Sequence, residues 1–255
     1  MPYVENNGPR IHYHVEGEGP PLVLVHGTSG SMRQWFDAGF KPEYADELVN
    51  DYRLIMIDLR CHGRSAKLHD PESASLRLMA EDVIRVLDAL GVDKAHYWGH
   101  SLGGMVGYYA AAFAPDRLRS LVLGGAHAFA ESGEGLRRLF GSENPAAAIV
   151  GALEMMDSMS PQYKSMVEDN DFQALYATVA IDRPDISDVL PHLTMPCLIY
   201  AGDAEVRFEG AKDSASRIPN ATFFSLPGLN HLEGFTHSAL VIPRVKQFLA
   251  EVSQH

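Results

Sequence analysis

The 255-residue chain has few cysteines, no excess of positive charge and no long apolar run. Each shortage closes off a class of protein. Two cysteines, Cys61 and Cys197, cannot build a disulfide framework. Lys and Arg number 21 against 33 Asp and Glu, for a net charge of −12. Such a chain lacks the basic footprint that nucleic-acid backbones and anionic membranes require. A small anionic substrate stays open, because it needs only one local cation. No apolar stretch approaches the roughly 18 residues of a membrane span. The first residues, Met1 to Pro21, are polar and carry Glu5, Glu16 and Glu18, unlike a signal or transit peptide. The expectation is a soluble cytoplasmic protein without nucleic-acid or membrane partners. Oligomeric state is left open.

What the chain does have is an alternation of short β-rich runs with helical patterns, the mark of a mostly parallel sheet covered by helices. Leu22–Val25, Leu54–Ile57, Ala95–Trp98, Leu121–Leu123, Cys197–Tyr200 and Thr222–Leu226 read as strands, several of them apolar throughout, as strands buried on both faces should be. Ile11–Val15 alternates and suits an early strand near the sheet edge, with His12 and His14 resembling a surface pair. Helical spacing runs through Ser75–Leu90, closed by Gly91, then from Ser101 towards Pro115, and from Ser238 to Val252. Residues 126–191 break the alternation. Helix-like patterning at Leu136–Phe140, Ala146–Met159 and Asp171–Val179, with no clear strand, predicts a helical insertion between two strands. The two flanks, 1–125 and 192–255, then form one core domain.

The chemistry centres on Gly99-His100-Ser101-Leu102-Gly103-Gly104. Gly-x-Ser-x-Gly alone is a weak signal, but here a strand leads directly in and a helix leads out. That is the setting of a nucleophile elbow, in which a sharp turn lifts a serine above the sheet edge. A serine hydroxyl needs a base, and the base needs an orienting carboxylate. His231 lies in a loop just past the strand Thr222–Leu226, at the sheet's carboxyl edge where sites collect. His237 is close by but is placed to open the last helix. Asp203 and Glu205 both follow the strand Cys197–Tyr200 and precede His231, so either carboxylate keeps the order Ser, acid, His. After the strand Leu22–Val25, the turn His26-Gly27-Thr28 can aim the Thr28 N–H at a developing oxyanion, opposite the N–H of Leu102.

With His26-Gly27, Asp58-Leu59-Arg60-Cys61-His62-Gly63-Arg64-Ser65, the serine motif, Gly202-Asp203-Ala204-Glu205 and Gly228-Leu229-Asn230-His231, the chain resembles the α/β-hydrolase superfamily over nearly its whole length. The serine esterase and enol-lactonase branch is similar in layout. The resemblance implies an eight-stranded, mostly parallel sheet with a helical cap at 126–191, and it favours Glu205 over Asp203 by position. The family more often has aspartate there, and glycine where Cys61 stands. The implied activity is hydrolysis of a small, apolar carboxylic ester through an acyl-enzyme, with no metal or other cofactor. The same triad would serve a lactonase. A hydrolase-fold ligand receptor with little turnover is the alternative of another class. A methionine-rich stretch from Leu139 to Met166 serves either as a soft lid or as seating for the cap helices, the second being the better reading at helical spacing.

Overall fold

The computed structural model describes residues 2–39, 42–154 and 160–253. Eight strands form one sheet: β1 (Tyr3–Val4), β2 (Ile11–Glu16), β3 (Pro21–Val25), β4 (Arg53–Ile57), β5 (Ala95–His100), β6 (Leu118–Gly124), β7 (Cys197–Gly202) and β8 (Ala221–Leu226). Their spatial order is β1-β2-β4-β3-β5-β6-β7-β8. Only the pairings of β1 with β2 and of β2 with β4 are antiparallel; β4 through β8 run parallel. All loops that leave the parallel strands at their carboxyl ends therefore open on one edge.

The continuous apolar runs of β3 and β4 are explained by burial on both faces. Val23, Val25, Ile55 and Ile57 pack into one core with Met79, Val83 and Leu87. Leu22, Leu24, Leu54 and Met56 pack into the other with Trp35, Trp98 and Leu249. The period of two sends neighbours in the chain to opposite layers.

The helices follow in chain order: α1 (Tyr44–Leu48), α2 (Leu76–Ala89), α3 (Leu102–Phe113), α4 (Glu134–Phe140), α5 (Pro145–Glu154), α6 (Pro161–Glu168), α7 (Phe172–Val179), α8 (Phe208–Arg217), α9 (Glu233–Thr236) and α10 (Ser238–Val252). Ser75 caps α2 by accepting from the Leu78 N–H, and Gly91 follows with φ +64. His237 stands at the N-cap of α10.

Helices α4 to α7 all fall between β6 and β7, within the stretch 126–191 where the strand alternation breaks. The helix expected over Ala146–Met159 is seen as far as Glu154; its last five positions lie outside the described residues. Helix α6 had no separate pattern in the sequence. Both necks of this segment are tied at one point. The backbones of Glu131 and Arg183 exchange hydrogen bonds of 3.1 and 3.0 Å as an isolated antiparallel bridge.

The early-strand histidines are not a surface pair. His12 is fully buried, and its ring meets Asp58 Oδ2 at 2.8 Å, while His14 is half-buried. Asp58 also accepts the N–H groups of Met32 and Arg64, each at 2.8 Å. Burial acts to raise this carboxyl, but the hydrogen bond to His12, the nearby His26 ring and those two backbone donors together hold it below the usual carboxylate range. An alternating strand at the margin of a sheet looks polar in sequence when one of its polar residues serves a buried carboxylate.

Candidate active site

Ser101 follows β5 and precedes α3, with φ 55 and ψ −116. That conformation is rare for a residue with a side chain and marks a turn over-determined by its surroundings. The surroundings are close backbone. A Cβ on Gly103 would lie 2.1 Å from the Val25 carbonyl oxygen, and one on Gly99 would lie 2.3 Å from the Gly103 carbonyl. Only glycine at both places lets strand, turn and helix pack this tightly. The Ser101 N–H donates to the Gly124 carbonyl at 2.8 Å, and the buried Tyr97 hydroxyl donates to the Gly103 carbonyl at 2.6 Å.

The His231 loop comes over from the end of β8. Nε2 of His231 lies 2.9 Å from Ser101 Oγ, and Nδ1 bonds Oε2 of Glu205. Glu205 is buried, and its other oxygen accepts the Gly202 N–H at 3.2 Å. With Nδ1–H donating to the carboxylate, the lone pair on Nε2 faces the serine. Asp203, the other acid the sequence offered, is turned away: its Oδ1 accepts the Gly228 N–H at 2.7 Å in an exposed turn. His100 is committed elsewhere. Its Nε2 lies 3.3 Å from the His231 carbonyl oxygen, and burial holds its ring well below the ordinary histidine range, hence neutral.

The loop after β3 supplies Thr28. Among the described residues, neither the Thr28 N–H nor the Leu102 N–H, at the first turn of α3, has a hydrogen-bond acceptor. Two partners that sequence reasoning missed hold this loop. The Gly27 N–H donates to Gln34 Oε1 at 2.9 Å, and Gln34 Nε2 in turn donates to the Tyr163 hydroxyl of α6 at 2.7 Å. His26 braces the other side. Its Nδ1–H donates to the Gly27 carbonyl at 2.8 Å, and its Nε2 accepts the Leu59 N–H at 3.0 Å. Burial lowers the His26 ring below its ordinary value, which suits an imidazole that must be donor and acceptor at once.

A cavity of about 230 Å³ opens over Ser101 and His231. Leu136, Leu139, Phe140, Ile149 and Leu153 roof it from α4 and α5, so its walls are mainly apolar. Arg207 brings a charge to this lining, with Nη1 at 3.2 Å from His231 Nε2. The sequence reading named no role for it. The one available signal was its position two residues after Glu205, in the same turn.

Among the described residues, no group of three or more His, Cys, Asp or Glu side chains is placed to hold a metal ion, and no helix is long and apolar enough to cross a membrane.

Three similarities bear on this arrangement. A protein of Azorhizobium caulinodans assigned as the carbamate hydrolase RutD is 36% identical over 140 residues, 55% of this chain and 49% of that one. The chain thus spans about half the length of that relative. The 3-oxoadipate enol-lactonase 1 of Acinetobacter baylyi is 26% identical over 79% of this chain and 75% of its own. A thermophilic esterase from Thermogutta terrifontis superposes with a TM-score of 0.82 at 25% identity, covering 98% of this chain and 97% of that one. Residues 20–182 match the family model of the alpha/beta hydrolase fold. With the eight-stranded sheet and its elbow, that match makes this chain a member of the α/β-hydrolase family.

Proposed function

We propose that the protein is a serine hydrolase that cleaves a small carboxylic ester through a covalent acyl-enzyme. The observation that carries this reading is the line from Glu205 through His231 to Ser101 Oγ, ending 2.9 Å from a hydroxyl on a strained turn. In this mechanism His231 Nε2 takes the Ser101 proton as Oγ attacks the substrate carbonyl. The carboxylate of Glu205 stabilises the imidazolium that results. The N–H groups of Thr28 and Leu102 receive the oxyanion, a contribution of about 10²–10³ in turnover for each donor in enzymes of this kind. The imidazolium then protonates the leaving alcohol. Water, deprotonated by the same ring, cleaves the acyl-serine and restores the enzyme.

Residues 126–191 act as a lid over the acyl pocket in this reading, and 1–125 with 192–255 form the catalytic core. The apolar side chains of α4 and α5 at the roof support that division. A lactone is the nearest alternative substrate, supported by the similarity to an enol-lactonase; a carbamate is supported by the RutD similarity. The test is turnover of p-nitrophenyl esters of graded chain length beside lactones, with wild type and Ser101→Ala, together with serine-directed fluorophosphonate labelling. Ester turnover and labelling that both vanish in Ser101→Ala are expected. Labelling retained by Ser101→Ala would remove Ser101 from its role. Folded protein with negligible turnover on every substrate would favour a ligand receptor instead.

A further inference from the structure

Apart from imidazole rings, Arg207 is the one ionisable side chain among the described residues that faces both the cavity and the reacting groups. Tyr163 also lines the cavity, but its hydroxyl is bound to Gln34 and burial pushes its pKa to about 12. Arg207 is held from behind by Glu131: Nε lies 2.9 Å and Nη2 2.7 Å from Glu131 Oε1. Glu131 is shared, because Arg183 Nη1 reaches its other oxygen at 2.9 Å. Burial acts to raise the Glu131 carboxyl, yet Arg207 and Arg183 outweigh it and hold the group below its usual range. Two guanidinium groups on one carboxylate leave a positive charge in excess. Glu205, the carboxylate on the far side of the imidazole at Nδ1, does not line the cavity.

The position of that charge is informative. Nη1 and Ser101 Oγ both lie within hydrogen-bond distance of the same nitrogen, His231 Nε2. Nε2 is the atom that hands its proton to the leaving oxygen in the proposed reaction. The side of the cavity beside it is therefore where the alcohol half of the substrate lies. From the hydrolase reading we infer that Arg207 is a carboxylate-recognition residue, and that the preferred substrates are esters whose alcohol half carries a carboxylate close to the scissile oxygen. A guanidinium with two of its nitrogens held by Glu131 presents the third in a fixed direction, suited to a planar carboxylate. Moving Nη1 onto that carboxylate also draws it off Nε2, leaving the lone pair to the serine proton. The acyl half keeps the apolar roof.

The test compares the butyryl esters of glycolate and of glycolamide, which share size and shape and differ in charge. The readout is the ratio of their kcat/KM values for the full chain, measured for wild type, Arg207→Gln and Arg207→Lys. Glu131 keeps Arg183 in each variant, so no buried carboxylate is left unpaired. Wild type is expected to prefer the glycolate ester. Arg207→Gln should shrink that preference roughly 10- to 100-fold, the usual worth of a charged hydrogen bond, and Arg207→Lys should fall between. A residue that only braced the lid necks would lower both rates together and leave the ratio fixed, which would overturn the assignment. So would a wild type indifferent to the charge, a result that needs no variant to fold. Turnover of the neutral ester without an anion preference overturns this inference alone, whereas absence of ester turnover and of serine labelling overturns the hydrolase reading beneath it.

Discussion

Replacing each of the two acids near His231 in turn separates the roles that the geometry gives them. Glu205→Gln keeps the length of the side chain and its hydrogen bond with the Gly202 N–H through the amide carbonyl. What it loses is the anion on Nδ1. A carboxamide NH₂ facing the ring donates to Nδ1 and so selects the tautomer with the proton on Nε2, the nitrogen 2.9 Å from Ser101 Oγ. That nitrogen then has no lone pair to accept the serine proton, and the imidazolium of the transition state has no counter-charge. In triads of this type the equivalent amide replacement costs about 10⁴ in turnover number. Asp203→Asn should do almost nothing to turnover, because its side-chain carbonyl can still accept the Gly228 N–H. Asp203→Ala removes that one turn bond, costing about 1 kcal/mol of stability and at most a few-fold in rate. Steady-state turnover of a p-nitrophenyl ester gives the rates, with circular dichroism to confirm that each variant is folded. A Glu205→Gln enzyme retaining a tenth of wild-type turnover, or an Asp203→Asn enzyme as impaired as Glu205→Gln, would refute the assignment.

Three further outcomes are expected. Ser101→Gly should abolish turnover and yet raise stability by about 1 kcal/mol, since glycine relieves a turn whose strain is of order 1–3 kcal/mol while losing some entropy of its own; thermal unfolding should shift up by roughly 2–4 °C. Acid should destabilise the fold early. Burial lowers His62 to about 3 and His96 to about 4, so the unfolded chain, titrating near 6.5, takes up protons first. Stability is complete above that unfolded value and declines as pH falls below it, by about 2 kcal/mol from each of these rings at pH 5. Urea unfolding at pH 7.5 and 5 measures the loss, and His62→Gln should reduce it by about 2 kcal/mol; equal wild-type stability at the two values would contradict the sign. Finally, Gln34→Leu strips the Gly27 N–H of its acceptor and Tyr163 of its donor, and should cost about 1–3 kcal/mol in unfolding free energy with a loss in kcat, read by denaturation and steady-state kinetics.

Much of this was legible in the residues themselves. Strands buried on both faces announce themselves as unbroken apolar runs, and a glycine pair around a serine between strand and helix fixes the elbow through backbone contact alone. His231 and the Ser-acid-His order follow from loops at one sheet edge. What one sequence could not resolve was direction. Asp203 and Glu205 occupy the same turn; family position favours Glu205, but it is the fold that turns one towards His231 and the other onto Gly228. Gln34 and Arg207 were invisible for a related reason: their roles come from partners far along the chain, Tyr163 for one and Glu131 for the other. His12 misled because an alternating edge pattern implies an exposed polar face, whereas Asp58 draws this one inward. Cys61 shows the converse. It stands where the family usually has glycine, and it holds φ +69 all the same, buried and with its thiol directed at the Leu68 carbonyl.

The backbone bridge between Glu131 and Arg183 makes the segment between them a closed loop with its two ends side by side. A piece of chain anchored in this way can lengthen, shorten or be exchanged without asking the sheet to move, because the gap it must span is already closed and longer loops cost little more entropy. Helices α4 to α7 are in that sense a cassette. Grafting a different helical segment between those two residues should change which acyl groups fit while leaving the elbow and its histidine as they are, provided that the replacement restores an apolar roof and a partner for Gln34 where Tyr163 stands. One small bridge thus closes off a segment that can vary, so long as its hold on Gln34 is kept.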